Sequence, residues 1–186
     1  MKRLIIGLTG HSGAGKSTAA DYLAEKYQLK VFEGSAILRQ DAAKQGRQLV
    51  VREDYEGFFR EQQQRRGLDY LSRLLLASDA PRALQSGLRS PADCERLQAV
   101  RGVVIGLVCD SAVALARTDK TNPKNAATIE QYAEQQKLQE STDEFGSHVS
   151  WIVEHADYQI DTSGPVEQTQ AELDRVVAET LRKLDQ

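Results

Sequence analysis

Gly10-His11-Ser12-Gly13-Ala14-Gly15-Lys16-Ser17 fits the spacing G-x-x-x-x-G-K-[ST]. The apolar run Leu4-Ile5-Ile6-Gly7-Leu8 precedes it and reads as a buried parallel strand. Ala19 to Tyr27 follow, with Ala20, Leu23, Ala24 and Tyr27 at helical spacing. Strand, loop and helix together are the context in which this spacing has a physical meaning. The glycines let the backbone curl until several N–H groups face phosphate oxygens. The helix that starts near Gly15 adds the positive end of its dipole. Lys16 is placed to reach the β- and γ-phosphates, and the Ser17 hydroxyl to ligate Mg²⁺. The stretch from Gly10 through Thr18 is therefore read as an ATP-binding loop, with ATP and Mg²⁺ as the expected cofactors.

The chain around this loop has 186 residues, enough for one domain with a substantial core. Hydrophobic residues make up 40% and charged residues 27%, with a net charge of −3. That balance offers no bulk attraction to nucleic acid or to an anionic membrane, so an anionic ligand has to be held by local cations. No apolar run approaches membrane-spanning length, and the first residues show no signal-peptide pattern. Cys94 and Cys109 have neither metal-site nor disulfide spacing. The expectation is a cytoplasmic protein, with Cys109 as a buried core thiol.

Outward from the loop, strands and helices alternate. Lys30-Val31-Phe32 reads as a second strand ending at Glu33, and Ser35 to Gln45 as a helix stopped by Gly46. Asp54 is a candidate cap for a third helix carrying Tyr55, Phe58 and Phe59, and Leu68 to Leu75 resume helical spacing after Gly67. Arg82 to Ser86 is a strand candidate, and Ser90-Pro91 starts a helix. Val103 to Cys109 is a strong buried strand, followed by a short helix to Arg117. Thr118 to Asn125 is a polar loop, and helices are expected over Ala126–Leu138 and Asp143–His155. Asp157 to Ile160 is a last strand before a terminal helix.

The pattern implies an α/β fold of three layers: a parallel sheet of about five strands with helices on both faces. The whole chain, 1–186, reads as a single domain without a second core. A helical insertion is expected near 34–75 and a lid-like segment near 117–140. A guanine-reading N-K-x-D stretch is absent, since Asn122-Pro123-Lys124-Asn125 does not match it. A small-molecule kinase fits better, because phosphoryl transfer needs a donor cradle, cations near the acceptor and a lid that excludes water. Arg39, Arg89 and Arg117, with Lys120, are the candidate cations. Asp110, at the end of a strand, is a weaker candidate magnesium carboxylate.

The chain resembles the nucleoside monophosphate kinase group of P-loop kinases, in its adenylate-kinase-like and dephospho-CoA-kinase-like branches. Three stretches beyond the loop carry the likeness, in the family's order: Gly34-Ser35-Ala36-Ile37-Leu38-Arg39, Gly87-Leu88-Arg89-Ser90-Pro91-Ala92 and Ala156-Asp157-Tyr158-Gln159-Ile160-Asp161-Thr162-Ser163-Gly164. The last two are similar to segments of a poorly characterised archaeal branch. The resemblance implies the P-loop kinase fold and transfer of the γ-phosphate of ATP to a nucleotide-like acceptor, a nucleoside or deoxynucleoside monophosphate. It implies that Arg39, Arg89 and Ser35 face the acceptor and that Arg117 stabilises charge on the phosphoryl group in transit. Ser35 and Ser86 stand where the family carries aspartates, so Glu33 is the remaining candidate carboxylate. Glu33 as a base for a sugar hydroxyl points to the alternative of dephospho-CoA phosphorylation. Loss of both aspartates points to another, a nucleotide sensor without catalysis. The expected partner in either enzymatic case is a small-molecule phosphate acceptor.

Overall fold

The computed structural model describes residues 3–185, so Met1, Lys2 and Gln186 of the domain read from the sequence lie outside it. Five strands form one sheet: β1 (Leu4–Thr9), β2 (Lys30–Glu33), β3 (Arg82–Ser86), β4 (Val103–Val108) and β5 (Tyr158–Asp161). All pairs are parallel, in the order β2-β3-β1-β4-β5. The expected fold class is thus what the chain adopts. The strand order turns back at β1, and in such sheets ligands bind at the carboxyl ends beside the turning point. The register sets Leu8 and Glu33 each opposite Ser86, so β1, β2 and β3 end level with one another.

Alternation along β1 divides the core. Leu4, Ile6 and Leu8 pack with Ala19, Ala20 and Leu23 of α1 (Lys16–Tyr27) and Leu173, Val176 and Val177 of α9 (Val166–Asp185). Ile5 faces the other way, with Leu75 of α4 (Tyr70–Leu76), Cys94 and Leu97 of α5 (Pro91–Ala99) and Ile152 of α8 (Val149–Glu154). Each fully buried Leu or Ile contributes about 1.5–3 kcal/mol.

Between β2 and β3 lie α2 (Gly34–Lys44), α3 (Arg52–Arg66) and α4. They fall within the insertion expected near 34–75. They also hold a cluster of their own, with Leu38, Ala42, Tyr55, Phe58, Phe59, Tyr70 and Leu71 buried. This corrects the expectation of no second core. Those side chains are spread over three helices, so no single stretch displays the cluster. Between β4 and α8 lie α6 (Ser111–Arg117) and α7 (Ile129–Lys137), the latter inside the lid-like segment.

Three local readings are corrected. The helix expected over Asp143–His155 is confined to α8: the Asp143 carboxylate accepts from the Phe145 N–H at 3.0 Å, and Gly146 has φ 94°. Asp54 is not the cap of α3 but sits in its first turn, where it accepts from the N–H groups of Val50 (2.8 Å) and Val51 (3.0 Å). Ser90 is the capping residue of α5 ahead of Pro91, as expected, although its hydroxyl makes no capping bond. Cys109 is half-buried, and the fully buried thiol is Cys94. Among the described residues no helix is long and apolar enough to cross a membrane.

Candidate active site

The loop between β1 and α1 runs through Gly13 at φ 77° and Gly15 at φ 80°. Both are left-handed conformations that favour glycine. A Cβ on Gly13 would stand 2.4 Å from the Ala114 carbonyl oxygen of α6, so the close packing of loop on helix also excludes a side chain. The Lys16 Nζ folds back over the loop and donates to the carbonyls of Gly10 (2.7 Å) and His11 (2.6 Å). Tyr132 of α7 donates from its hydroxyl to the Ser12 carbonyl at 2.6 Å, which ties the lid-like segment to the loop.

Ser12, Gly13, Gly15, Lys16, Ser17 and Thr18 line a cleft of about 450 Å³. The level strand ends bring Glu33 and Ser86 to its rim, with Ser35 and Arg89 beside them. Arg52, in the first turn of α3, and Lys124, beyond α6, complete a ring of cations. Arg52 is only 3% exposed. Its Nη2 donates to the Ser12 hydroxyl at 3.2 Å, and its buried Nε has no partner. Arg89 is buried too and pairs with Glu56 of α3. The Lys124 ammonium lies 4.3 Å from the centre of the Tyr55 ring.

Desolvation and mutual repulsion act on these groups in the same direction. Burial, then Arg89, Arg52 and Lys124, push Lys16 down to about 7. Burial, then Arg52 and Arg89, push Lys124 down to about 8. Burial and Arg89 lower Arg52 to about 10. A bound polyanion removes that penalty and restores the charged forms. Binding of ATP or inorganic triphosphate at pH 8 is therefore expected to take up protons, up to about one per site at Lys16. Calorimetry in buffers of different ionisation enthalpy measures this, and affinity should fall as pH rises from 7 to 9.

The other expected site residues are distributed as follows. The His11 side chain turns away from the cleft, its Nδ1 3.3 Å from Gln139 and its Nε2 3.3 Å from the Ser150 hydroxyl, and only its carbonyl meets Lys16. Ala14 is buried beneath the loop. Glu33 caps α2, accepting from the Ala36 N–H at 2.9 Å, while the Ser35 hydroxyl donates to its other oxygen. Arg39 stays outside the cleft lining, with its side chain 55% exposed and 3.7 Å from Glu33. Lys120 is exposed and Lys124 takes the inward place expected of it. Asp110 caps α6, accepting from Ala112 (2.9 Å) and Val113 (3.1 Å), and does not line the cleft.

Arg117 stands at the join between this cleft and a second cavity of about 180 Å³. Its guanidinium donates to the carbonyls of Thr162 (2.6 Å) and Gly164 (3.1 Å) in the turn after β5. That second cavity is lined by Gly15, Thr18, Ala19 and Tyr22 on one side and by Val166, Thr169, Gln170 and Leu173 of α9 on the other.

The donor set fits ATP, since curled amides, Lys16 and a flanking cavity are all in place. It fits Mg²⁺ in the way that ion is ordinarily held with nucleotides. Ser17 supplies a hydroxyl at the cleft floor, and no cluster of three His, Cys, Asp or Glu suited to a metal occurs among the described residues. Phosphate oxygens and water would provide the remaining ligands.

Sequence reasoning missed Arg52 and Lys124. Arg52 had one visible signal: a cation in the first turn of a helix opposes the macrodipole, so a specific contact has to hold it there. Lys124 had none, because its approach to Tyr55 depends on how the lid-like segment folds back.

Comparisons agree with this picture. Residues 9–69 match the family described as AAA domain. No curated protein matches the sequence. Among solved structures, the shikimate kinase from Acinetobacter baumannii in complex with shikimate is similar at a TM-score of 0.61 and 17% identity, over 97% of this chain and 94% of that one. The shikimate kinase from Bacteroides thetaiotaomicron is similar at 0.57 and 16% identity, over 98% and 99%. A putative kinase from Chloroflexus aurantiacus is similar at 0.54 and 16% identity, over 98% of each chain. The chain has the P-loop kinase fold, and the resemblance to the P-loop kinase group read from its sequence holds at the level of that fold.

Proposed function

We propose that this chain is an ATP-dependent small-molecule kinase, a phosphotransferase that passes the γ-phosphoryl group of ATP to a small acceptor bearing an anionic group. The observation that carries this reading is the meeting of Lys16, Arg52, Arg89 and Lys124 around one cleft at the loop. Arg89 is already paired with Glu56, but Arg52 and Lys124 are in no ion pair among the described residues, and these cations beyond the loop's own lysine support a second anion. The acceptor favoured is a nucleoside or deoxynucleoside monophosphate. Its phosphate would lie between Arg52, Arg89 and Lys124, with one oxygen turned to the γ-phosphorus.

Transfer forms a bond from that oxygen to the γ-phosphorus and breaks the bond from the γ-phosphorus to the β–γ bridging oxygen, leaving ADP. A phosphate oxygen is already deprotonated, so no base is required. Lys16 and the loop amides hold the donor, and Arg52, Arg89 and Lys124 hold the acceptor in line. Ser17 would hold Mg²⁺ together with the donor's phosphates, and the ion would supply neutralisation of their charge. Arg117, held by the carbonyls of Thr162 and Gly164 where the two cavities meet, would lend its charge to the phosphates from the side.

A second reading, a hydroxyl acceptor such as dephospho-CoA, is favoured by Glu33 at the cleft rim. Its carboxylate would have to leave its cap on α2 to act as a base. Coupled assays of ADP release across nucleoside monophosphates, dephospho-CoA and shikimate test both readings. Turnover with a monophosphate is expected. Turnover with a hydroxyl acceptor alone replaces the first reading with the second. Binding of ATP and Mg²⁺ without turnover on any acceptor overturns the kinase in favour of a sensor.

A further inference from the structure

The carbonyls at the start of the loop are held from two sides. The Lys16 Nζ takes those of Gly10 and His11, and the Tyr132 hydroxyl takes that of Ser12. Lys16 lines the cleft. Tyr132 does not. It is 2% exposed, packs with Ala114 and Ala126, and lines a separate cavity of about 310 Å³ behind the loop, with Ala14, Leu107 and Val153. The Ser12 carbonyl is therefore drawn away from the cleft. Its peptide is trans, so the N–H on the far side of the same bond points the opposite way. That N–H belongs to Gly13, which lines the cleft and whose N–H has no hydrogen-bond partner among the described residues.

We propose that Tyr132 is a positioning residue for the donor: by holding the Ser12 carbonyl behind the loop, it keeps the Gly13 N–H aimed at the donor's phosphates. The inference rests on the reading of the cleft as a triphosphate site and adds what keeps the loop in its binding form. The backbone here needs such an anchor. The His11 carbonyl accepts from the Ala14 N–H at 3.3 Å, which closes a β-turn with Ser12 and Gly13 at its centre. Gly13 at φ 77° makes the turn type II. Types I and II close the same bond and differ by a turnover of the central peptide, and glycine accepts the φ of either. The bond from His11 to Ala14 therefore does not choose between them. Turned over, the central peptide would bring the Ser12 carbonyl oxygen toward the phosphates in place of the Gly13 N–H, exchanging an attraction for a repulsion. The Tyr132 hydroxyl reaches the carbonyl oxygen only in the first orientation.

The test compares equilibrium binding of ATP and of inorganic tripolyphosphate, each with Mg²⁺, to the wild type, Tyr132→Phe and Thr128→Ala, and follows the Gly13 amide by NMR in glycine-labelled protein. Tyr132→Phe keeps the buried ring and removes only the hydroxyl. It is expected to weaken both ligands by the same factor, about fivefold, and to shrink the downfield movement of the Gly13 amide proton that tripolyphosphate causes in the wild type. Thr128 caps α7, its hydroxyl accepting from the Gln131 N–H at 3.3 Å, so Thr128→Ala weakens that helix without touching the loop. Its thermal midpoint should fall while both affinities stay within about twofold of the wild type. Unchanged affinities in Tyr132→Phe overturn the inference and leave the triphosphate site standing. A loss confined to ATP also overturns it, by moving the effect from the phosphates to the nucleoside. An equal loss in Thr128→Ala does the same, by assigning Tyr132 to the packing of α7 alone. If the wild type binds neither ligand, the reading of the cleft itself falls, and this inference with it.

Discussion

Lys16→Ala is expected to lower phosphoryl transfer by about 10²–10³-fold, the cost of removing one preorganised charge from the reacting group, and to weaken binding of ATP with Mg²⁺ in parallel. The loss should come without loss of stability. Lys16 is a desolvated cation crowded by Arg89, Arg52 and Lys124, so its removal relieves repulsion in the apo protein. The thermal midpoint of the variant should equal or exceed that of the wild type. The pH dependence gives a second signature. Because Lys16 is lowered from 10.5 to about 7 in the fold, the unfolded chain binds a proton between those values that the folded chain does not. The stability of the wild type should therefore rise with pH across that window, and the Lys16 part of the rise should vanish in the variant. Chemical denaturation at pH 7, 8 and 9 measures it. Full transfer activity in Lys16→Ala would remove the loop from the mechanism.

Arg52→Ala is expected to raise the KM for the acceptor by about 10²-fold, with ATP binding changed less than threefold. The separation follows from geometry. Arg52 reaches the cleft from α3, across from the loop, and touches the loop only through the Ser12 hydroxyl. It forms no ion pair among the described residues, so its removal leaves no buried carboxylate uncompensated, and the fold should tolerate it. Arg89→Ala is a poorer probe of the same function. It strands Glu56, and breaking a buried pair costs about 3–5 kcal/mol of stability. Arg39→Ala is the contrast, because its exposed side chain lies outside the cleft lining, and less than a twofold change in KM is expected. Steady-state kinetics with the acceptor identified by the panel separate the three. A loss in Arg39→Ala equal to that in Arg52→Ala would place the acceptor against α2 instead of α3.

Much of this protein was legible from local chemistry alone. Gly10 through Ser17 name the loop, because its conformation depends on glycines at fixed positions and its context is the strand and helix on either side. The central strands β1 and β4 were visible as apolar runs, since a parallel sheet covered on both faces makes its inner strands apolar, while β2, β3 and β5 carry polar residues and were read from their shorter apolar stretches and the turns after them. The alternation of strands with helices then leaves few topologies open. Interactions of neighbouring residues govern all of these features, and a linear reading contains such neighbours.

Tertiary structure decided the rest. Arg39 lies in the middle of α2 and Arg52 at the start of α3, and the sequence favoured the first. Packing of Phe58, Phe59 and Tyr70 into the insertion's own cluster orients α3 so that Arg52 enters the cleft, while Arg39 is left in solvent beside Glu33. Lys124 displaces Lys120 because the segment after α6 folds back onto Tyr55, 69 positions earlier in the chain. The cavity beside the loop exists because α9 packs along α1. A site is assembled from side chains distant in sequence, and their approach depends on the angles at which helices pack. Those angles come from the shape of a shared core, which no single segment of the chain carries.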